Sequence, residues 1–122
     1  MTRHWTLQEA VAQRAMLRAD NQRLVFTNGH FDLLHVGHLD HLEKARRLGD
    51  ALYVGLNDDD STRRLKGAGR PIVPAVERAR LLLALWPVDG VIIFGHDTAD
   101  ALLGALMPEI YAKGADYMVK LL

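Results

Sequence analysis

The chain has 122 residues, 49% of them apolar and 25% charged, which suits one soluble globular domain and excludes disordered or collagen-like chains. Its formal net charge is zero, so there is no broad basic field for nonspecific binding to nucleic acid or an anionic membrane, and any anion must be gripped locally. The absence of cysteine excludes disulfides and thiolate metal sites, and no apolar run is long enough to span a bilayer.

The N-terminal stretch has scattered charges and no apolar leader-like segment, so a cytoplasmic enzyme is the expectation. Thr6 and Glu9 form a capping-box pattern, and Leu7, Ala10, Val11 and Ala15 recur at helical spacing, predicting a first helix that ends near Asn21. Leu24 to Thr27 reads as a buried strand, closed by the turn pair Asn28-Gly29. A second helix is predicted from Val36 to Leu48, with Leu39, Leu42 and Ala45 on one face and Gly49 as its stop. Ala51 to Leu56 is the next strand, and the polar run Asn57 to Ser61 offers caps for a short helical turn through Leu65.

Lys66 to Pro74 is a loop punctuated by Gly and Pro, followed by a helix from Ala75 to Leu85 that stops at Trp86-Pro87. Val88 to Phe94 gives a third strand. Asp97 or Thr98 is positioned to cap a helix through Met107, Pro108 ends it, and Ile110 to Lys113 forms a fourth strand. The alternation predicts an α/β fold in one domain over 1–122, a helix through residue 22 and a core from 23 onward. Parallel pairing with right-handed crossovers puts the ligand beyond the carboxyl ends of the strands, where Thr27, Asn57 and Lys113 emerge.

The most informative segment is Thr27 to His38, TNGHFDLLHVGH, between the first strand and second helix. His35 and His38 are three apart at a helix start and project from one face, so both imidazoles can address one anion. Gly37 lets that anion approach, and the helix N-terminus adds unpaired N–H groups and a partial positive charge. The pair suits an oxyanion clamp for attack on a nucleotide α-phosphate. The alternative is that the two histidines merely cap or pack at the helix end, or join a third ligand on a metal. Chance occurrence of His-x-Gly-His is on the order of one per cent in a chain this long, and the strand-turn-helix context favours phosphate.

This segment resembles the signature of the cytidylyltransferase-like nucleotidyltransferase superfamily. With RRLKGAGRPIVP and KGADY it is similar to the bacterial D-glycero-β-D-manno-heptose 1-phosphate adenylyltransferases, over residues 24 to 117. The resemblance implies a Rossmann-like parallel sheet with helices on both faces. It also implies transfer of AMP from ATP, with Mg²⁺, to the heptose 1-phosphate, giving ADP-heptose and pyrophosphate for the lipopolysaccharide core. A separate sugar kinase would then supply the acceptor. Superfamily members are commonly dimers or larger, so a homo-oligomer is in prospect.

Arg63, Arg64, Lys66 and Arg70 read as a basic arm for the β- and γ-phosphates, with Lys66 marked by the resemblance, or as an ordinary solvated loop. The resemblance also implies nucleotide-binding roles for Thr27, Asn28, Gly29, Phe31, Asp32, Gly37, Asn57 and Asp59. Phe31 is expected to fill the core while its N–H meets the α-phosphate. Asp32 is open to three roles: capping the turn, orienting a histidine, or approaching Mg²⁺. Asp58, Asp59 and Asp60 read as an acidic cap or as metal or sugar contacts. Glu77 and Arg78 read as an internal ion pair or, through Arg78, a phosphate contact. Gly114 and Asp116 are implied to touch base or ribose, or simply to make a turn. No protein-held metal site is assigned, and His4, His41 and His96 read as surface residues.

Two departures stand out. The family usually carries Cys where this chain has His30, a third imidazole near the turn, with a modest effect on pH dependence or a metal as the expectation. The chain also stops before the last strand and the Ser/Thr-rich helix start of the superfamily, so the C-terminal part of the fold is expected to be missing; with one helix ahead of the first strand, a stand-alone copy is expected. Competing readings keep the chemistry with CTP and glycerol 3-phosphate or a flavin precursor, or reduce the chain to a catalytically weak nucleotide-binding module. A class I aminoacyl-tRNA synthetase reading leaves no room for tRNA recognition.

Overall fold

The apolar residues of the central strands alternate with period two, and each parity class feeds a different core. In a computed structural model, which describes residues 3–113 and 118–121, Leu52, Val54 and Leu56 pack with Val25, Leu42, Leu82 and Val91 on one face of a sheet. Ala51 and Tyr53 pack with Leu24, Phe26, Ile92 and Leu102 on the other. A strand buried on both faces needs helices on both, and a near-continuous apolar run is its signature.

The elements in chain order are β1 (His4–Trp5), α1 (Leu7–Ala19), β2 (Leu24–Gly29), α2 (Val36–Arg46), β3 (Ala51–Asn57) and α3 (Asp59–Lys66). They continue with α4 (Ala75–Leu83), β4 (Gly90–Phe94), α5 (Asp100–Leu106), β5 (Ile110–Lys113) and β6 (Met118–Leu121). The strand order is β1-β4-β3-β2-β5-β6, parallel throughout except for the antiparallel β5–β6 pair. The Rossmann-like α/β fold expected from the sequence is therefore present. The register pairs Gly29 with Leu56 and Asn57 with Phe94, so three central strands end at one edge.

Several boundaries differ from expectation. β1 went unpredicted because two residues carry no periodicity; what admits it is Gly90, where a Cβ would lie 2.0 Å from the Trp5 ring. Helix α4 ends two residues earlier than Leu85, and β4 begins at Gly90 rather than Val88. Neither Asp97 nor Thr98 caps α5, whose cap position is Ala99 with no side-chain bond; Asp97 pairs instead with Arg64 at 2.9 Å. At the other end of α5, Met107 adopts a left-handed conformation and terminates the helix before Pro108.

Helix α1 carries the predicted capping box, Glu9 N–H to Thr6 Oγ1 at 3.1 Å and Thr6 N–H to Glu9 Oε1 at 2.9 Å. It also buries a cation. Arg14 donates to the carbonyls of Leu106 and Met107, each at 2.9 Å, and pairs with Glu109, which in turn accepts the Leu24 N–H. One guanidinium thus satisfies the free carbonyls at the end of α5 and, through Glu109, holds the start of β2.

Candidate active site

Helix α2 begins directly after the turn that leaves β2, and its first polar bonds are made by the two histidines. His35 is the N-cap in extended conformation. Gly37 N–H donates to His35 Nδ1 at 3.0 Å, and His35 N–H donates to His38 Nδ1 at 3.2 Å. The rings lie 4.0 Å apart, inclined by 31°. A ring whose Nδ1 accepts a hydrogen bond carries its proton on Nε2, so each neutral imidazole keeps one N–H donor at its far end. Capping and anion binding, alternatives in the sequence, use opposite ends of the same rings and are compatible. Burial lowers the His38 pKa, and His35 and His41 lower it further, which keeps the ring neutral near pH 7.

Gly37 has a reason of its own. A Cβ there would sit 2.8 Å from His35 Cε1, so the glycine makes room for the capping ring. Phe31 is buried at φ 48°, an uncommon left-handed conformation for an aromatic residue, and its ring lies 5.3 Å from that of His38. Strained backbone of this kind concentrates at functional sites.

A cleft of about 590 Å³ separates this turn from the arm that follows α3, and His30, His35, His38, Lys66 and Arg70 line it. A second cavity, of about 320 Å³, shares the three histidines with this cleft and is lined as well by Asn28, Gly37 and His41. Lys66 and Arg70 are thus brought to the histidines, whereas Arg63 pairs with Asp60 in solvent at 3.0 Å and Arg64 with Asp97.

The acidic residues are engaged elsewhere. Asp32 accepts from Arg70 Nη1 at 2.8 Å, from Ile72 N–H and from Val73 N–H, so it pins the arm and neither caps the turn nor orients a histidine. Burial acts to raise its pKa, but the Val73 and Ile72 amides and the Arg70 guanidinium outweigh this and hold the carboxyl below its ordinary range. Asp58 caps α3 by accepting Ser61 N–H. Asp59 accepts Ala75 N–H at 2.9 Å, supplying α4 with the cap that Pro74 cannot, and pairs with Arg78 at 2.8 Å. Among the described residues no group of three His, Asp or Glu side chains converges to hold a metal ion.

Arg78 is the clearest correction. It is fully buried and bonded to the carbonyls of Val73, His30 and Asn57 as well as to Asp59. Its partner is Asp59, not Glu77, and it has no surface left for phosphate; it is a strut joining the arm, the turn and the end of β3. Asn57 is likewise buried, its amide bonded to Ser61 Oγ and the His96 carbonyl. Thr27 is buried with its hydroxyl 3.1 Å from His41 Nε2, and Asn28 Oδ1 accepts from the Tyr111 hydroxyl. Gly29 lies beneath the Phe31 ring, and Gly114 and Asp116 lie outside the described residues.

His41 is therefore not a surface residue: it is half-buried behind His38, and burial lowers its pKa. His4 is likewise half-buried, in β1, while His96 is exposed as expected. The signal for His41 was in the sequence, since 35, 38 and 41 repeat the three-residue spacing that stacks side chains along a helix. Tyr111 carried no such signal, because its approach to Asn28 depends on the β2–β5 register.

Comparison with known proteins fits this geometry. The family model described as cytidylyltransferase-like matches residues 26–121. The chain is 55% identical over 104 residues to the bifunctional protein HldE of Helicobacter pylori strain J99, covering 85% of this chain and 22% of that protein. It is 54% identical over 109 residues to HldE of Geotalea uraniireducens, covering 87% and 22% respectively. The chain thus spans about a fifth of the length of these relatives. Among solved structures, a lipopolysaccharide core biosynthesis protein from Thermoplasma volcanium superposes with a TM-score of 0.65 at 32% identity, over 74% of this chain and 72% of that one. No helix among the described residues is long and apolar enough to cross a membrane.

Proposed function

Because the chain belongs to the cytidylyltransferase-like family, we propose that it is a nucleotidyltransferase that joins a nucleotide to a phosphorylated acceptor with release of pyrophosphate. The observation that carries this reading is the histidine pair, whose Nδ1 atoms are occupied by backbone N–H groups and whose Nε2–H groups are left for the cleft. An oxygen of the acceptor phosphate attacks the α-phosphorus, and the bond from that phosphorus to the bridging oxygen of pyrophosphate breaks. Negative charge grows on the α-phosphate and bridging oxygens, where fixed neutral donors and the helix N-terminus stabilise it without reorganisation. The attacking phosphate is already ionised at neutral pH, so no general base is required.

Lys66 and Arg70 line the same cleft and suit the β- and γ-phosphates. Mg²⁺ would travel on those phosphates. Asp32, the carboxylate in the cleft, is taken up by Arg70, Ile72 and Val73, and so does not compete for the ion.

For the substrates, we propose ATP and D-glycero-β-D-manno-heptose 1-phosphate, supported by the identity to the HldE proteins and the likeness to a lipopolysaccharide core biosynthesis protein. The product is ADP-heptose, and a sugar kinase activity would supply the acceptor. The description of the family model supports CTP as a second reading. Pyrophosphate release with Mg²⁺, comparing ATP and CTP with and without heptose 1-phosphate, tests both. Release only with ATP plus the heptose phosphate is the expected result; release only with CTP would transfer the assignment, and silence from a folded protein would leave a nucleotide-binding module.

A further inference from the structure

His30 is the one imidazole of the cleft that plays no part in the α2 cap. It sits one residue beyond β2 and lines both cavities that the histidine pair lines. Its ring is fixed from outside the turn: Nδ1 lies 2.9 Å from the hydroxyl of Thr62, itself wholly buried in α3. Its carbonyl accepts from the buried guanidinium of Arg78 at 2.6 Å. With ring and backbone both anchored and Nδ1 engaged, Nε2 is the free polar atom of a preplaced side chain in the cleft shared with Lys66 and Arg70.

The charges around it follow from the same contacts. Lys66 at the end of α3 and Arg78 on α4 act against a positive ring, Asp32 in the turn acts for it, and His35 and His38 on α2 and Arg70 on the arm share the cleft. Burial, followed by Lys66 and Arg78, lowers its pKa and keeps the imidazole uncharged near pH 7. A bound polyphosphate reverses that balance, because it neutralises Lys66 and Arg70 and places several negative charges beside a titratable nitrogen.

We propose that His30 is a polyphosphate-contact residue that takes up a proton as the anion binds, so that the occupied cleft holds a further cation that the empty cleft lacks. The proposal rests on the nucleotidyltransferase reading, since it needs a polyphosphate in the cleft. The proton comes from solvent and is returned when pyrophosphate leaves. The added affinity is full below the pKa of the free ring, declines as pH rises through the pKa of the bound ring, and is gone above it.

The test is ring-nitrogen NMR of the ¹⁵N-histidine chain, titrated in pH alone and with inorganic triphosphate, MgATP or MgCTP; His30→Asn assigns the signal and keeps an atom able to bond Thr62. We expect the His30 pKa to rise on binding by about 1 or more, the scale of a close opposite charge. Correspondingly, as pH rises from about 5 to about 8 wild-type affinity should fall more than that of His30→Asn, by up to about tenfold, because a pKa raised by about 1 in the complex strengthens binding to the fully protonated ring about tenfold. If the anion perturbs the His35 and His38 signals while the His30 titration stays put, this proposal is overturned and the nucleotidyltransferase reading survives. If none of the three anions binds, that reading fails first and takes this one with it.

Discussion

The turn into α2 and the arm after α3 face each other across one cleft, yet they are held by different means. Where the turn enters α2, His35 and His38 are each fixed by a residue two or three positions away, Gly37 to His35 and His35 to His38. In the arm, the bonds come from far along the chain: Asp32 holds residues 70, 72 and 73, and Arg78 reaches back to His30 and Asn57. The histidine pair is therefore set by forming one helix, whereas the arm, and His30 with it, depends on the fold being complete. Segments held mainly by a few bonds at the surface, as the arm is with Ile72 and Arg70 exposed, lie at the low end of local stability. The difference suits the two tasks, since stabilising a transition state needs fixed donors and admitting a triphosphate needs a part that can yield.

Truncating the histidines should separate the two regions most sharply. His35→Ala or His38→Ala should lower turnover by about two to three orders of magnitude, the scale of removing one oxyanion donor, while costing only about 1 kcal/mol of stability as a lost cap. Steady-state kinetics beside chemical denaturation separate the two effects, and unchanged turnover in both variants would remove the histidines from the chemistry. Asp32→Asn should act on the arm instead. Weakening one charge-assisted anchor worth about 1.5 to 3 kcal/mol should raise KM for the nucleotide about tenfold and leave kcat nearly intact. An equal loss in kcat would place Asp32 with the histidines.

The smallest effect is the response to acid, and it should reach the turn before the arm. His30, His38 and His41 have folded pKa values below the ordinary 6.5, so as pH falls through 6.5 the unfolded chain gains protons the folded one refuses, and stability drops. Asp32, like Glu109 at the start of β2, is held below its ordinary carboxyl range, and its contribution is present above that range and lost below about pH 4. Urea unfolding at pH 7.5, 5.5 and 3.5 should show both steps; equal stability at the first two would mean that the buried rings cost nothing to protonate.

The sheet was legible because β2, β3 and β4 are apolar runs closed by turn residues, and α1 because Thr6 and Glu9 announce its start. The histidine pair was legible because its spacing and its glycine are local. What escaped the sequence was tertiary. For Arg78, Asp59 and Asp32 the sequence leaves a bracing role and a ligand contact both open; whether such a group faces the ligand or braces the scaffold depends on which carbonyls and amides the fold leaves unpaired nearby. The carbonyls of Val73, His30 and Asn57 converge on Arg78 only after α4 has docked on the sheet.

The Arg14–Glu109 clamp has a consequence in time. The guanidinium of α1 finds its partners more than 90 residues later in the chain, and the same carboxylate closes the start of β2. Contacts of such high sequence separation form late, after the intervening chain has been brought together at an entropic cost. On the ribosome, α1 can coil as soon as it emerges but cannot close this clamp until Glu109 has been synthesised, so a helix made before the sheet it packs on is among the last of these elements to be locked in place.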